Sequence, residues 1–161
     1  MNIIPYNREA AVEYARTWAY SRNPKFYDFS NLGGDCTNFI SQCLVAGGMP
    51  MNFDYPLGWF FKSVNQRSPS FTGVQYLYDF LTRTKVNRGP FAVAVDVAQA
   101  LPGDIVQLSF DGVKWSHSLL VVHQNGDDPY LATHSYDAFG RLLSSYSFAA
   151  VRALQILGGR T

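Results

Sequence analysis

Gly33-Gly34-Asp35-Cys36-Thr37-Asn38-Phe39-Ile40-Ser41-Gln42-Cys43-Leu44, followed by Ala46-Gly47-Gly48, is the stretch on which the fold of this chain turns. Two glycines close a loop, Asp35 stands at the cap position, and Cys36, Phe39, Ile40, Cys43 and Leu44 share one face at helical spacing. Gly47-Gly48 then stops the helix. Cys36 therefore falls in the first helical turn, where unpaired backbone N–H groups and the positive dipole end favour a thiolate and lower its pKa. The same N–H groups can donate to an oxyanion during acyl transfer. Cys43 lies on the apolar face and reads as core. The two cysteines stand two turns apart, about 10 Å of rise. That exceeds the Cα separation of about 4.4–6.8 Å in a disulfide and is too far for one shared zinc.

Upstream, Pro5 and Asn7 precede Ala11, Tyr14, Ala15, Trp18 and Ala19, an amphipathic helix opened by an Asn cap and ended by Asn23-Pro24. Residues 25–34 read as a loop. Downstream, residues 49–71 have no period and carry Phe53, Tyr55, Trp59, Phe60 and Phe61 among prolines and glycines, an aromatic-rich loop with short elements. Val74, Leu77, Tyr78 and Leu81 predict a third helix. Beyond Gly89-Pro90 the chain changes to β-branched runs between turn residues, with strands expected at 105–110, 115–124, 130–136, 142–146 and 150–157. Helices first and hairpin-linked strands second predict an α+β fold, N-terminal helices packed on an antiparallel sheet, with residues 1–161 as one domain.

The chemistry-bearing residues are few. His117, His123 and His134 are the three histidines, all in the sheet half. His117 opens a strand at Trp115-Ser116-His117-Ser118, so it can meet Cys36 where the helices pack on the sheet. It would then complete an ion pair and serve as general acid for a leaving amine. His134, near the end of the following strand, can bond a ring nitrogen of His117 and fix its tautomer. Periodicity alone does not choose His117 over His123, and Asp137 or Asn125 could stand in for His134. The plainer readings are that Cys36 is a small buried hydrophobe, that Asp35 only caps the helix, and that His117 and His134 are structural. Three histidines and a cysteine could fill a zinc site in number, but their spacings match no chelating motif, so no metal or cofactor is expected.

Composition narrows the partners. The 161 residues carry 13 Lys plus Arg against 12 Asp plus Glu, a net charge of +1, so no global field draws in nucleic acid or anionic lipid. No run approaches 20 apolar residues, which excludes a membrane-spanning helix. Met1 to Pro5 lack the basic and apolar pattern of a secretory signal, leaving a cytoplasmic chain or one whose leader was removed. Oligomeric state is not legible. The excess is aromatic, with 12 Phe, 10 Tyr and 3 Trp, and predicts a ring-lined groove flanking the Cys36 helix between Phe26 and Phe61.

The 33–44 stretch with Ala46-Gly47-Gly48-Met49-Pro50 resembles the signature of the bacterial putative amidase domain family, which is related to the NlpC/P60 cysteine peptidases of the papain-like class. The likeness continues through Tyr14-Ala15, Arg22-Asn23-Pro24, Leu101-Pro102-Gly103-Asp104, Trp115-Ser116-His117-Ser118 and Thr133-His134-Ser135. It implies a papain-like fold with Cys36 as nucleophile, His117 as base and His134 as the third polar residue, and it favours His117 over His123. Tyr27, Asp35, Asn38 and Trp115 are candidates for contact with the oxyanion or substrate. The implied activity is cysteine-dependent amide hydrolysis through an acyl-thioester, on a peptide and in particular the peptide part of bacterial cell wall. Acyl transfer by the same residues, or a module that binds such peptides without turnover, are the alternatives.

Overall fold

The computed structural model describes residues 2–161 and is α+β. Helix α1 (Arg8–Trp18) begins where Asn7 Oδ1 accepts the Ala10 N–H at 3.0 Å, the cap expected from the sequence. Helix α2 (Cys36–Ala46) ends against Gly47 and is buried from Cys36 through Leu44. Helices α3 (Pro69–Thr72) and α4 (Val74–Leu81) follow, the second with the bounds its apolar spacing predicts. A small hairpin of β2 (Phe61–Ser63) and β3 (Gln66–Arg67) stands apart from the main sheet.

The main sheet is antiparallel throughout and takes β1 (Ile3–Ile4), β4 (Gly89–Val95), β5 (Ile105–Ser109), β6 (His117–His123), β7 (Tyr130–Thr133), β8 (Ala138–Leu142) and β9 (Ala150–Arg160). Strands β5 and β6 are central, with Ile105 opposite Leu120 and Leu108 opposite His117. One face carries Ile105, Leu120, Ala132, Leu154 and Ile156 into a core shared with α1 and α2. The other carries Val106, Leu108, Leu119, Val121 and Leu131 into a second layer, closed by Leu143 and Tyr146. A strand covered on both faces reads as a continuous apolar run, the pattern of residues 118–122.

Three features depart from expectation. The strand expected at 142–146 lies earlier, as β8, and Leu143–Ser145 form a 3-10 turn. The displacement follows from Ser135 and Tyr136, both at φ 63°, which reverse the chain sooner than the composition signals. Second, residues 89–95, where the sequence shows only the onset of β character, form a strand that pairs with β9 along its length. Third, most rings of 26–61 are core: Phe29 and Trp59 are fully buried, with Phe61 beside them.

The Pro102-Gly103-Asp104 turn ties the layers together. Buried Asp104 accepts from Arg8 Nη1 at 2.7 Å and from the backbone N–H groups of Leu101 and Ile156, both at 2.8 Å. One carboxylate thus fixes the start of α1, its own turn and the last strand.

Candidate active site

The helix start and the strand start meet. Thr37 Oγ1 and Ser118 Oγ are 2.9 Å apart, so the residue after Cys36 is bonded to the residue after His117. The Cys36 sulfur faces the Ser118 and Thr37 backbone N–H groups and the Thr37 hydroxyl, the last at 3.8 Å. Cys36 is 7% and His117 6% exposed. Cys36 opens on a cleft of about 410 Å³ that also takes in Gly33, Gly73, Tyr76, Trp115 and Ser116.

Electrostatics correct the expected ion pair. Burial pushes the Cys36 thiol up, against the donors around the sulfur that pull it down. Burial, with Arg141 as a lesser cause, pushes His117 down to about 4. The resting pair at neutral pH is therefore a thiol and a neutral imidazole. The expected meeting of Cys36 and His117 does not occur at rest: Ser118 faces α2, and the His117 ring lies on the other side of β6, 6.4 Å from the Phe110 ring and 6.1 Å from that of Tyr146.

The partner of His117 is Thr133, not His134. Thr133 Oγ1 lies 3.5 Å from His117 Nε2 and also 2.9 Å from the Ser118 carbonyl and 2.8 Å from the His134 carbonyl. Carbonyls only accept, so the one hydroxyl proton goes to them and the oxygen accepts from Nε2–H. That tautomer leaves Nδ1 of His117 as the basic nitrogen. Thr133 carries no sequence signal beyond its place in Thr133-His134-Ser135.

His134 is turned the other way, which overturns its expected bond to His117. Its Nδ1 lies 2.5 Å from Asp35 Oδ2 and its Nε2 2.8 Å from the Trp18 carbonyl, and its ring stacks on Phe39 at 4.0 Å. Both partners offer acceptor oxygens to the ring. Asp35 likewise is not the expected side-chain cap of α2. Its Oδ1 accepts from the Phe29 N–H at 2.8 Å and from Asn38 Nδ2 at 3.0 Å, and Arg22 Nε stands 3.7 Å from Oδ2. Asp35, His134, Arg22 and Asn38 thus form a buried mount beneath the start of α2.

The remaining candidates divide. Trp115 lines the Cys36 cleft, with the Arg152 guanidinium over its ring at 4.1 Å. Tyr27 packs edge-on against Phe29 at 4.8 Å, and its carbonyl accepts from Asn38 Nδ2; it does not line the Cys36 cleft. Asn38 is fully buried, with Oδ1 unpartnered, and does not line the cleft either. Asp137 is bound by Arg22 at 2.9 and 3.1 Å. Cys43 is buried in the core, and His123 stands exposed at the end of β6. Among the described residues no three His, Cys, Asp or Glu side chains cluster as a metal site, and no helix is long and apolar enough to cross a membrane.

Fold and site together define an α+β domain with a buried cysteine at the N-terminus of a helix whose start is bonded to the start of a central strand. The chain belongs to the putative amidase domain family, whose model matches residues 5–156; the family's description points to amide hydrolysis in general terms. It is 37% identical over 139 residues to the uncharacterized protein YhbB of Bacillus subtilis (strain 168), a match taking in 83% of this chain and 42% of that protein. The chain therefore spans less than half the length of that relative. No solved structure matches it.

Proposed function

We propose that the domain is a cysteine amidase or peptidase of papain-like, NlpC/P60-related architecture, with Cys36 as nucleophile and His117 as its acid and base. The observation that carries this reading is the seam at which Thr37 and Ser118 bond, which brings the start of α2, with Cys36 at the edge of a cleft, to the start of β6; the His117 ring, resting on the Tyr146 side of the sheet, turns toward the sulfur when the pair forms. Hydrogen bonds of a catalytic pair are often long or absent without substrate and close in the Michaelis complex.

As the sulfur attacks the carbonyl carbon, the thiol proton moves to His117 Nδ1 and the carbonyl oxygen becomes an oxyanion facing the unpaired N–H of Cys36. His117 returns that proton to the departing amine as the C–N bond breaks, leaving a thioester on Cys36. Water then gives a proton to His117 and attacks the thioester. The acid departs, and the proton goes back to the sulfur. Thr133 holds the ring in its reactive tautomer, while the Asp35–His134 pair holds the helix start. Both are positioning residues. The substrate class that the family likeness favours is the peptide part of bacterial cell wall.

The test is release of new amino groups from purified cell wall and from synthetic peptides by wild type, Cys36→Ala and His117→Ala. Release by wild type and its loss in both variants is the expected result. Equal release by all three would overturn the assignment of the site, and no release from any with retention on the wall would favour a binding module.

A further inference from the structure

Beside the Cys36 cleft lies a larger cavity of about 790 Å³, roofed by the β2–β3 hairpin. The two adjoin, with Thr72, Gly73 and Tyr76 lining both. Gly73 keeps that lining low: a Cβ there would meet the Tyr76 ring at 2.9 Å and the Pro69 carbonyl at 3.0 Å.

The charge along these cavities departs from that of the whole chain. The chain is balanced to within one charge, yet the residues lining the two cavities include Lys62, Arg67 and Lys114 and no Asp or Glu. Among the described residues Lys62 forms no ion pair; its ammonium stands 5.2 Å from the centre of the Phe53 ring. Arg67 is fixed, its Nε donating to Thr72 Oγ1 at 3.2 Å and its guanidinium lying over Phe29 at 4.5 Å. One cation is thus anchored at the junction and another stands free further out, among the rings of Phe53, Phe60 and Tyr76. A concave site with apolar walls and a few convergent charges is built to bind a small group of opposite sign.

We propose that this cavity is the acyl-side specificity subsite of the enzyme, selecting substrates that carry a carboxylate on the acyl part, with Lys62 as the charge-reading residue and Arg67 as its fixed companion. The inference rests on the Cys36 reading and deepens it. The acyl part stays bonded to Cys36 through both half-reactions, so a cation that holds it acts on acylation and deacylation alike.

The test is a ladder of peptidyl chloromethyl ketones, with one to four alanines between the reactive group and either a succinyl or an acetyl cap. The Cys36 sulfur displaces chloride, and mass spectrometry of the intact protein follows the rate. At one rung of the ladder the succinyl probe should label wild type about tenfold faster than the acetyl probe, the worth of one charge-assisted contact. That ratio should fall toward one in Lys62→Gln and invert in Lys62→Glu. Equal labelling by the two caps at every length, or a preference unmoved by Lys62→Glu, overturns the subsite and leaves Cys36 as nucleophile. No labelling of Cys36 by any probe while Cys36→Ala and wild type behave alike removes the catalytic reading, and the subsite with it.

Discussion

Asp35 Oδ2 and His134 Nδ1 lie 2.5 Å apart with both side chains 1% exposed, joining the residue before α2 to the residue after β7. The contact spans 99 positions of sequence and fixes the helix N-terminus on the sheet. Leaving a buried polar group without its hydrogen-bond partner costs about 1–3 kcal/mol. Asp35→Ala should lose roughly that much in urea unfolding, since it also strips the Phe29 N–H and Asn38 of their acceptor. His134→Gln should lower turnover, yet leave the acid limb of the kcat/KM pH profile where wild type has it, because His134 does not touch His117. A displaced acid limb would return His134 to the base itself.

The lowered pKa of His117 makes a prediction about stability. An unfolded histidine titrates near 6.5 and the buried one near 4. Between those values the unfolded chain binds the extra proton, so stability is intact above pH 6.5 and falls as the pH drops toward 4. By pH 4.5 the loss from this one group is roughly 2 to 3 kcal/mol. Urea midpoints at pH 7 and 4.5 should therefore differ less in His117→Gln than in wild type. Equal differences in the two would show that the ring is not buried in its neutral form.

The raised thiol of Cys36 and the neutral ring of His117 also set how the cysteine reacts. Small alkylating agents have no amide to position, so they read only the resting thiol. Iodoacetamide should label Cys36 slowly at pH 7, with the rate climbing as the pH passes above the ordinary thiol range. A rate already at its plateau at pH 6 would show a resting ion pair and reverse the direction assigned to the thiol.

Thr133 can be tested by a change of nearly the same shape, which also takes the hydroxyl donor from the Ser118 and His134 carbonyls. Thr133→Val keeps the shape and removes the oxygen that accepts from His117 Nε2. The expected outcome is a fall in kcat of about tenfold with KM little changed, the size of one orienting hydrogen bond. Thr133→Ser should restore most of the rate. Failure of Ser to rescue would mean that the methyl, through packing, is what the site needs.

Much of this arrangement was legible because its signals are local. Gly33-Gly34, Gly47-Gly48 and one apolar face suffice to place α2, and four apolar positions place α4. What was not legible depends on partners far away in sequence. Aspartate before a helix ordinarily caps it, but His134, Phe29 and Asn38 all offer donors to Asp35, and three contacts outweigh one cap. Strict alternation from Tyr130 carries the strand through to His134, but β7 ends at Thr133 and the β6–β7 register shifts between Val121 and His123. The register itself, Leu120 opposite Ala132 and Val121 opposite Leu131, puts Thr133 on the face of His117 and turns the residue after it to the other face. Trp59, in a segment without period, gave no sign that its indole N–H donates to Ser41 Oγ at 3.1 Å inside the core.

The turn after His134 carries strain that a single substitution should release. Ser135 and Tyr136 both sit at φ 63°, a region that costs L-residues about 1 kcal/mol or more. The Ser135 hydroxyl repays some of this by accepting from the Asp35 N–H at 3.4 Å, which ties the turn to the nucleophile helix. Tyr136 is 90% exposed, so nothing in the fold compensates its backbone. Tyr136→Gly should therefore raise stability by about 0.5–1 kcal/mol in urea unfolding, the relief at φ exceeding the added freedom of the unfolded chain. Ser135→Gly should gain less or lose, since it relieves the same strain but removes the bond to Asp35. If Tyr136→Gly is instead the more harmful of the two, the positive φ at 136 is not a source of strain.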